Sequence, residues 1–380
     1  MDFSLNIKVP GELVRFRSFA LSFLKHNTPK KFKNFLTVEY EMARRKTTLK
    51  GMPYILKIDP SNMCNLKCPM CLTGRRMGKR KYGIMEFSTY RKILDELGVY
   101  AYRVMLYGQG EPFMVKNIEE MIGEATDRNI GVSISSNLNI LNEEQAARIV
   151  SSGLEHLIVS LDGASQESYQ KYRVGGSFDK VINNIKMISG IKKKMKTRYP
   201  IIEWQYLVMR HNENEMETAK KIANEIGVNM IRFSPFSFIS PPTKEEIEEW
   251  VPQNDRIRYM DSSGQSTNLY REQTVCSWLY RTVVVNWDGR ISPCCSYHFT
   301  GFPENDFGNI NEQSFREIWN NEIYQFSRKL VSNRKVSDDE KVRTGCYSCE
   351  MLNLKFLNEI RKKAGADLYP KPNEQDRDQG

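Results

Sequence analysis

Histidine is scarce in this chain, and long apolar runs are missing. The 380 residues include four histidines, none of them close in sequence to the cysteine cluster described below. An apolar stretch of about 20 residues, which a membrane-spanning helix needs, does not occur. No small-residue cleavage site follows a clean apolar core, so a secretory signal is not expected. These absences favour a cytoplasmic protein whose eight cysteines serve metal or catalytic chemistry rather than disulfides.

Positive charge is abundant but unevenly distributed. The formal net charge is +10, and the first fifty residues contribute +7 of it, from eleven Lys and Arg against four acids. Apolar residues recur in this arm at helical spacing; they are Leu13, Phe16, Phe19, Ala20, Phe23 and Leu24. This pattern therefore predicts a basic amphipathic helix in the N-terminal arm, residues 1–50. It either contacts an anionic lipid or a phosphorylated substrate, or packs against the main domain.

Between residues 51 and 239, short apolar runs alternate with helical stretches. The predicted strands are 54–58, 102–107, 130–135, 156–161, 201–209 and 229–233. A repeated βα unit implies a parallel sheet, and six strands are too few for a closed eight-stranded barrel. The predicted fold class is therefore α/β, a partial (βα)6 TIM-like barrel with its active site at the carboxyl ends of the strands.

The C-terminal part follows a different pattern. Residues 240–274 lose the periodicity and predict a connector with a short helix near 245–250. The stretch "RTVVVNWDGRISPCC" then predicts a hairpin that turns at Asp288 and Gly289. We expect a small α+β domain at 275–365 and a disordered tail at 366–380.

Three cysteines stand within eight residues in "CNLKCPMC": Cys64, Cys68 and Cys71. Pro69 keeps this segment from forming a regular helix, so a loop can aim three sulfurs inward. A structural zinc site needs four ligands, and no histidine is nearby to complete one. A four-iron cluster held by three thiolates leaves one iron open to a non-protein ligand. The spacing therefore favours an iron–sulfur cluster over zinc.

These cysteines resemble the Cys-x3-Cys-x2-Cys signature of the radical S-adenosylmethionine (SAM) enzymes. The likeness extends through "YGQGEP", "SISSN", "VSLDGASQESYQKYR" and "GSFDKVINNI", and it spans residues 54–235. The resemblance implies a [4Fe–4S] cluster whose open iron binds SAM. It also implies one-electron cleavage of SAM to a 5′-deoxyadenosyl radical, which abstracts hydrogen from a substrate C–H bond.

The resemblance further implies six residues that contact SAM. They are Gly110, Glu111, Ser135, Asn137, Ser160 and Arg173. The first two match a loop that meets the methionine amino group, and the next two match positions near the ribose. The last two match positions near the ribose and the carboxylate, for which a guanidinium has the right geometry. Gln109 departs from the glycine that is commoner in this loop.

A second set of cysteines resembles the auxiliary-cluster domain, of SPASM or twitch-like type, that often follows such a barrel. Its implied ligands are Cys276, Cys294, Cys346 and Cys349. They imply one fully ligated auxiliary [4Fe–4S] cluster, and a structural zinc site on the same cysteines is the alternative. Cys295 is left over: it packs passively, replaces Cys294 as a ligand, or acts as a catalytic hydrogen-atom donor.

With two [4Fe–4S] clusters and SAM, we expect an enzyme that oxidises or epimerises a sugar, polyol or related metabolite. This substrate class includes anionic metabolites and those carried on a lipid or nucleotide. One alternative is a maturase that modifies a ribosomally made peptide or a protein. A second, a non-catalytic metal-binding module for nucleic acid, is disfavoured because the cysteines are spaced for clusters. A flavodoxin- or ferredoxin-like electron donor is expected, and the basic arm allows peripheral contact with an acidic membrane.

Residues at the strand ends are candidate substrate contacts. They are Tyr107, Trp204, Gln205, Tyr206 and Arg232, together with Arg75 and Arg76 just after the first cysteines. Each could instead be a core aromatic or a solvated charge, and none stands out as a catalytic acid or base.

Overall fold

A computed structural model gives the protein's fold for most of the chain. It describes residues 20–236, 238, 242–254, 275–295, 300–332, 342 and 344–349. The start of the basic arm, most of the predicted connector and the predicted tail lie outside the described residues, as does His298.

Nine strands form a single sheet in the described part of the chain. The strands are β1 (Ile55–Ile58), β2 (Arg103–Leu106), β3 (Gly131–Ser136), β4 (His156–Ser160), β5 (Ile201–Val208), β6 (Met230–Pro235), β7 (Thr282–Val285), β8 (Arg290–Ser292) and β9 (Gly308–Asn309). Their order across the sheet is β6-β5-β4-β3-β2-β1-β7-β8-β9. The strands β1 to β7 run parallel, whereas β8 and β9 are antiparallel to their neighbours. The sheet ends at β6 and β9, so the predicted partial barrel is confirmed.

Helices connect successive strands, as a parallel sheet requires. The helices are α1 (Pro29–Ala43), α2 (Phe87–Leu97), α3 (Ile118–Asp127), α4 (Glu143–Ser151), α5 (Gln166–Tyr172), α6 (Phe178–Lys194), α7 (Met216–Ile226), α8 (Lys244–Trp250), α9 (Trp278–Arg281), α10 (Phe315–Trp319) and α11 (Glu322–Val331). Short 3-10 helices lie at Pro112–Met114, Glu213–Glu215, Pro303–Asn305 and Gly345–Ser348. None of the helices in the described residues has the length and apolar character needed to cross a bilayer.

Local sequence accounts for several helix ends. Asn142, Ser165 and Ser177 each accept a backbone N–H with their side chains at the start of α4, α5 and α6. These caps satisfy amide groups that a helix leaves unpaired in its first turn. The basic run 192–198 begins as the last turn of α6, where lysines face the negative end of the helix dipole.

The sheet has an apolar outer face and a polar inner face. Side chains alternate along each strand, so one set packs under the helices and the other points into the barrel. The outward set is almost fully buried and includes Leu56, Val104, Val132, Leu157 and Ile202. The inward set of the same strands is mostly polar and includes Lys57, Ser133, Ser135, Ser160 and Gln205.

The predicted hairpin is present and extends the barrel sheet. Strands β7 and β8 pair across a turn in which Gly289 has a φ of +80°, a conformation that favours glycine. Strand β7 also pairs in parallel with β1, over Ile55–Thr282 to Ile58–Val285. The C-terminal cysteines are therefore placed directly beside the strand that precedes the first cysteine loop.

Candidate active site

The first three cysteines lie on the loop that follows β1. Cys68 is buried, while Cys64 and Cys71 are half-buried. The amide of Cys71 donates to the carbonyl of Cys68 over 3.2 Å, and the amide of Arg75 donates to the carbonyl of Cys71 over 2.9 Å. These tight turns keep the three thiols on one short loop at the carboxyl end of the parallel strands.

The donor set of this loop fits an iron–sulfur cluster. Burial raises the pKa of Cys64 to about 11, and Glu111 and the other two thiols add to the effect. Such thiols lose their protons when a metal centre binds them. Among the described residues, no three His, Cys, Asp or Glu side chains converge on a single metal ion. A four-iron cluster binds each thiolate to a different iron and does not need that convergence.

The loop "GQGEP" packs against the cysteine loop. The amide of Glu111 donates to the carbonyl of Met63 over 2.8 Å. At Gly110, a Cβ atom would come within 2.9 Å of the Met63 nitrogen and closer still to the carbonyl oxygens of Ser61 and Met63. No side chain fits there unless one of these loops moves, so glycine at this position brings the two loops together.

Glu111 fastens this loop to the end of β3. Its carboxylate accepts hydrogen bonds from the Ser136 hydroxyl (2.7 Å), the Asn137 amide (2.7 Å) and the Phe113 amide (3.1 Å). Burial raises the pKa of this carboxyl, and the three hydrogen bonds counteract the rise. Both carboxylate oxygens are thus engaged within the protein, and Glu111 holds two loops in register.

Two of the predicted SAM contacts lie beside the cysteine sulfurs. The side-chain nitrogen Nδ2 of Asn137 is 3.8 Å from the Cys64 sulfur and donates to the side-chain oxygen of Asn65 over 2.9 Å. The guanidinium of Arg173 is 3.9 Å from the Cys68 sulfur. Its Nε donates to Asp162 over 2.5 Å. The structure therefore brings a neutral donor from the end of β3 and a cation from the end of α5 to the cysteine loop.

Asp162 determines where Arg173 points. It is fully buried, and its second oxygen accepts the Leu207 amide over 2.7 Å. Burial lowers the pKa of Arg173, but Asp162 and the Cys68 thiol outweigh that effect, so the pKa stands well above its ordinary value. The guanidinium stays charged and keeps donors free for an anionic group next to the cysteine loop.

The other two predicted contacts line the inner face. Ser135 near the end of β3 and Ser160 at the end of β4 are half-buried and point into the barrel. Arg232 also points inward, but it is occupied: it donates to Glu203 and to Ser234, each over 2.5 Å. The serines, unlike Arg232, remain partly accessible from the barrel interior.

Lys57 is an inward-facing cation that sequence reasoning missed. Its ammonium lies 5.5 Å from the centre of the Tyr107 ring. It forms an ion pair with no carboxylate in the described part of the chain. Burial lowers its pKa, but Cys295 and Asp59 outweigh burial and raise it. The sequence does contain a signal for this residue, because Lys57 is the one charged residue in the predicted strand "YILKI".

Two predicted substrate contacts are wrong. Trp204 and Tyr206 are fully buried on the outer face of β5, where Trp204 donates to the Leu161 carbonyl and Tyr206 to the Asn212 carbonyl. Strand alternation explains the error, because Gln205 between them points inward. After the cysteines, Arg75 is exposed and lies 3.6 Å from Glu246.

The basic run "GRRMGKRK" contains a buried link to the C-terminal part. Arg80 is 5% exposed and donates to Asp306 (2.7 and 2.9 Å), to Asp288 (2.7 Å) and to the Thr300 carbonyl (2.9 Å). Gln109 donates to the Thr300 hydroxyl over 2.7 Å. The segment after the first cysteine loop is therefore fixed to the hairpin turn, and both it and the "GQGEP" loop are fixed to Thr300 before β9.

The second cysteine set comes from three separate segments. Burial raises the pKa of Cys276 to about 11 and that of Cys346 to about 12. Cys349 adds to both shifts, which places these three thiols near one another. Cys294 lies just after the end of β8. Burial raises the pKa of Tyr324, and Cys346 and Cys294 both add to that rise, which places the two thiols near the same ring. Cys295 is exposed and lies near Lys57.

Comparisons with known families identify both regions. The radical SAM superfamily matches residues 58–205, and the SPASM iron-sulfur cluster-binding domain matches residues 276–350. The chain is a radical SAM enzyme with a SPASM domain. These domains imply SAM, a [4Fe–4S] cluster and auxiliary iron–sulfur binding, in agreement with the donor sets described above.

This radical SAM enzyme is similar in sequence to a cofactor-modifying protein and a heme synthase. It is 23% identical over 301 residues to the tungsten-containing aldehyde ferredoxin oxidoreductase cofactor-modifying protein of Pyrococcus furiosus, covering 73% of this chain and 84% of the relative. It is 23% identical over 323 residues to the AdoMet-dependent heme synthase of Methanosarcina barkeri, covering 76% and 85%. The fold is similar to that of Streptococcus suis SuiB bound to its precursor peptide SuiA. That structure has a TM-score of 0.56 and 14% identity, with 92% of this chain and 79% of the other covered.

Proposed function

We propose that this radical SAM enzyme is a maturase that modifies a ribosomally made peptide, a protein side chain or a precursor of a cofactor. The observation that carries the proposal is an open inner face: the sheet ends at β6 and β9 without closing, and polar residues line its interior next to the cysteine loop. An open barrel admits an extended substrate. The comparisons support maturation over the oxidation or epimerisation of a sugar or polyol that the sequence suggested.

The residues of the first loop suit SAM binding. We assign Cys64, Cys68 and Cys71 as the ligands of a [4Fe–4S] cluster that, when bound, supplies one electron to cleave SAM and so generates the radical that takes a hydrogen atom from the substrate. Arg173, held by Asp162, would bind the carboxylate of SAM. Asn137 lies at the Cys64 sulfur and would lie beside the ribose.

The remaining SAM contacts follow from the same geometry. The backbone at Gly110 is offered to the methionine amino group, since the Glu111 side chain is engaged elsewhere. Ser135 and Ser160 present hydroxyls from neighbouring strands for the ribose.

The second cysteine set suits a fully ligated auxiliary cluster. We assign Cys276, Cys294, Cys346 and Cys349 as its ligands; full ligation suits a centre that accepts the electron a substrate radical gives up. Cys295 is exposed on the side of Lys57, so it is available as a hydrogen-atom donor. A donated hydrogen atom would give a redox-neutral product in place of an oxidised one.

Lys57 points to an anionic group on the substrate. Its ammonium faces the barrel interior and forms no ion pair within the described residues, although Asp59 and Cys295 both act on it electrostatically. A carboxylate of an acidic side chain or of a cofactor precursor would satisfy it. We place the reaction in the cytoplasm, with a flavodoxin- or ferredoxin-like protein as the electron donor.

Anaerobic turnover with two kinds of substrate tests this proposal. The reconstituted enzyme is incubated with SAM and dithionite, and 5′-deoxyadenosine is measured with and without added substrate. We expect 5′-deoxyadenosine formation to be stimulated by a short peptide encoded beside this gene, or by a carboxylate-bearing cofactor precursor. Mass spectrometry should show a product that has two hydrogens fewer than the substrate. Stimulation by sugars or polyols alone would reject maturation in favour of the first expectation from the sequence.

A further inference from the structure

Helix α1 is inserted into the protein with its polar side inward. Its buried residues are Lys31, Asn34, Val38 and Glu41, so three of the four are polar or charged. A helix on the surface of a globular protein usually buries an apolar stripe and exposes its polar side. In α1 most of the fully buried residues are polar, while the apolar Phe35 and Met42 are partly buried against the core.

The buried polar groups of α1 are satisfied by hydrogen bonds. Lys31 donates to the Asn129 carbonyl over 2.6 Å. Asn34 exchanges two hydrogen bonds with the backbone of Met52, at 2.8 and 2.9 Å. Glu41 accepts the amides of Lys50 and Gly51, each over 2.9 Å. The inward side of the helix therefore serves the fold, because leaving such groups buried and unpaired would be costly.

The outward side of α1 carries a partly exposed apolar stripe, of which Phe32 has one edge against Phe23. Phe32, Leu36 and Tyr40 are 43%, 51% and 58% exposed. They are spaced by four residues, which places them on one side of the helix. With Pro29 and Thr37 they line a shallow groove on the surface. Since the polar side already anchors the helix, these side chains are available to a partner.

The charge around this stripe is mainly positive. Lys33, Lys46 and Lys50 line the same groove, and the ammonium of Lys46 lies 5.1 Å from the Tyr40 ring centre. The acid in the groove is Glu41, and its carboxylate is already engaged by two backbone amides. A partner for this surface must therefore offer both apolar area and negative charge.

We propose that this face of α1 binds the surface of a membrane rich in anionic phospholipid. The chemistry is that of an interfacial helix, in which aromatic and aliphatic side chains enter the headgroup boundary and lysines meet lipid phosphates. The helix lies in the membrane plane and does not cross it. This surface is separate from the cysteine loops, so the proposal is independent of the substrate proposed above.

Vesicle sedimentation of the full-length holoenzyme tests the proposal. The vesicles are phosphatidylcholine, with and without phosphatidylglycerol. We expect binding to the anionic vesicles only, weakened by added salt. Phe32→Gln with Leu36→Gln should reduce partitioning at least about tenfold. Lys33→Gln with Lys50→Gln should reduce it about 30-fold, since each lysine near an anionic surface contributes about a fivefold factor.

Matched variants on other surfaces provide the controls. Val99→Gln with Ile140→Gln removes two apolar side chains of similar exposure, and Lys116→Gln with Lys186→Gln removes two exposed charges. Both should bind vesicles like the wild type, and all variants should keep the iron content and melting temperature of the wild type. Equal binding by wild type and α1 variants would overturn the proposal, as would failure of the wild type to bind.

A protein partner is a distinguishable outcome. If this face instead joined two copies of the chain, the wild type would sediment as a dimer without lipid and the Phe32→Gln, Leu36→Gln variant as a monomer. That result, obtained without vesicle binding, would reject the lipid surface and assign the face to self-association.

Discussion

The two ends of the parallel sheet use charged and polar residues in different ways. At the carboxyl end, Arg173 and Asn137 lie at cysteine sulfurs, and the Arg173 guanidinium keeps donors free for a ligand. At the amino end, Glu155 accepts Lys25 (2.5 Å), His26 (2.8 Å) and Ser22 (3.3 Å), so its carboxylate is saturated within the protein.

The difference separates residues that serve chemistry from residues that serve stability. Barrel enzymes carry their active sites at the carboxyl end, and the opposite end contributes to folding. In this chain the N-terminal arm closes the amino end, where Tyr102 donates to Asn27 over 2.7 Å and His26 meets Asn129 over 2.9 Å. Substitutions at the two ends should therefore affect different measurements.

The largest expected effect is at the first cysteine loop. Cys68→Ala should abolish 5′-deoxyadenosine formation, because it removes a cluster ligand from the SAM site. Iron analysis should show a loss of about four irons, with about four retained. Cys349→Ala is the control, and it should lose the other four while still cleaving SAM. A variant Cys68→Ala that retains all its iron would contradict the assignment of this loop.

Arg80 is an exception to the difference between the two ends of the sheet. It lies at the carboxyl end, but its guanidinium is hydrogen-bonded within the protein and serves stability. Arg80→Ala leaves the buried Asp306 without its cation, and removing one partner of a buried ion pair costs about 3–5 kcal/mol. We expect a clear fall in the melting temperature by calorimetry. Adding Asp306→Asn should recover part of it, whereas no recovery would show that the ion pair is not the cause.

Arg173→Lys sharpens the comparison without changing the charge. A lysine cannot reproduce the fork that reaches both Asp162 and a carboxylate. Hydrogen bonds to charged groups are worth about 1.5–3 kcal/mol, so the Kd for SAM should rise about tenfold to 100-fold. Equilibrium dialysis of the reconstituted enzyme measures it, with Arg91→Lys on the exposed side of α2 as the control. An unchanged Kd would remove Arg173 from the site.

The smallest expected effect is at the amino end. Burial raises the pKa of Glu155, but His26 and Lys25 outweigh it and hold the pKa at about 2, below its ordinary 4.5. A lowered pKa stabilises the folded protein above pH 4.5, and this contribution is lost as the pH falls toward 2. Glu155→Gln should cost roughly 2 kcal/mol at neutral pH and less in acid, while SAM cleavage is retained. A pH-independent cost would contradict this reasoning.

Local sequence was enough to predict the strands and the first cysteine loop. All six barrel strands lie within two residues of their predicted bounds, because each is a short apolar run between helical stretches. The hairpin at Asp288 and Gly289 was also predicted correctly. The cysteine loop is local too, since its three thiols lie within eight residues.

Features that join distant segments could not be predicted in this way. No local pattern shows that β7 pairs with β1, or that Arg80 reaches Asp306 across more than two hundred residues. The stripe in the arm is similar: Phe23 packs against Tyr102 with ring centres 4.7 Å apart, while Leu24 is 76% exposed. Helical spacing identifies a stripe, but only the packing decides which of its residues are buried.

Electron paramagnetic resonance of the dithionite-reduced enzyme tests the central claim most directly, that the first loop holds an open cluster and the second set a closed one. Adding SAM should change the signal of one cluster and leave the other unchanged. In Cys349→Ala the remaining signal should still respond to SAM, and in Cys68→Ala it should not. A SAM response that survives Cys68→Ala would contradict the account.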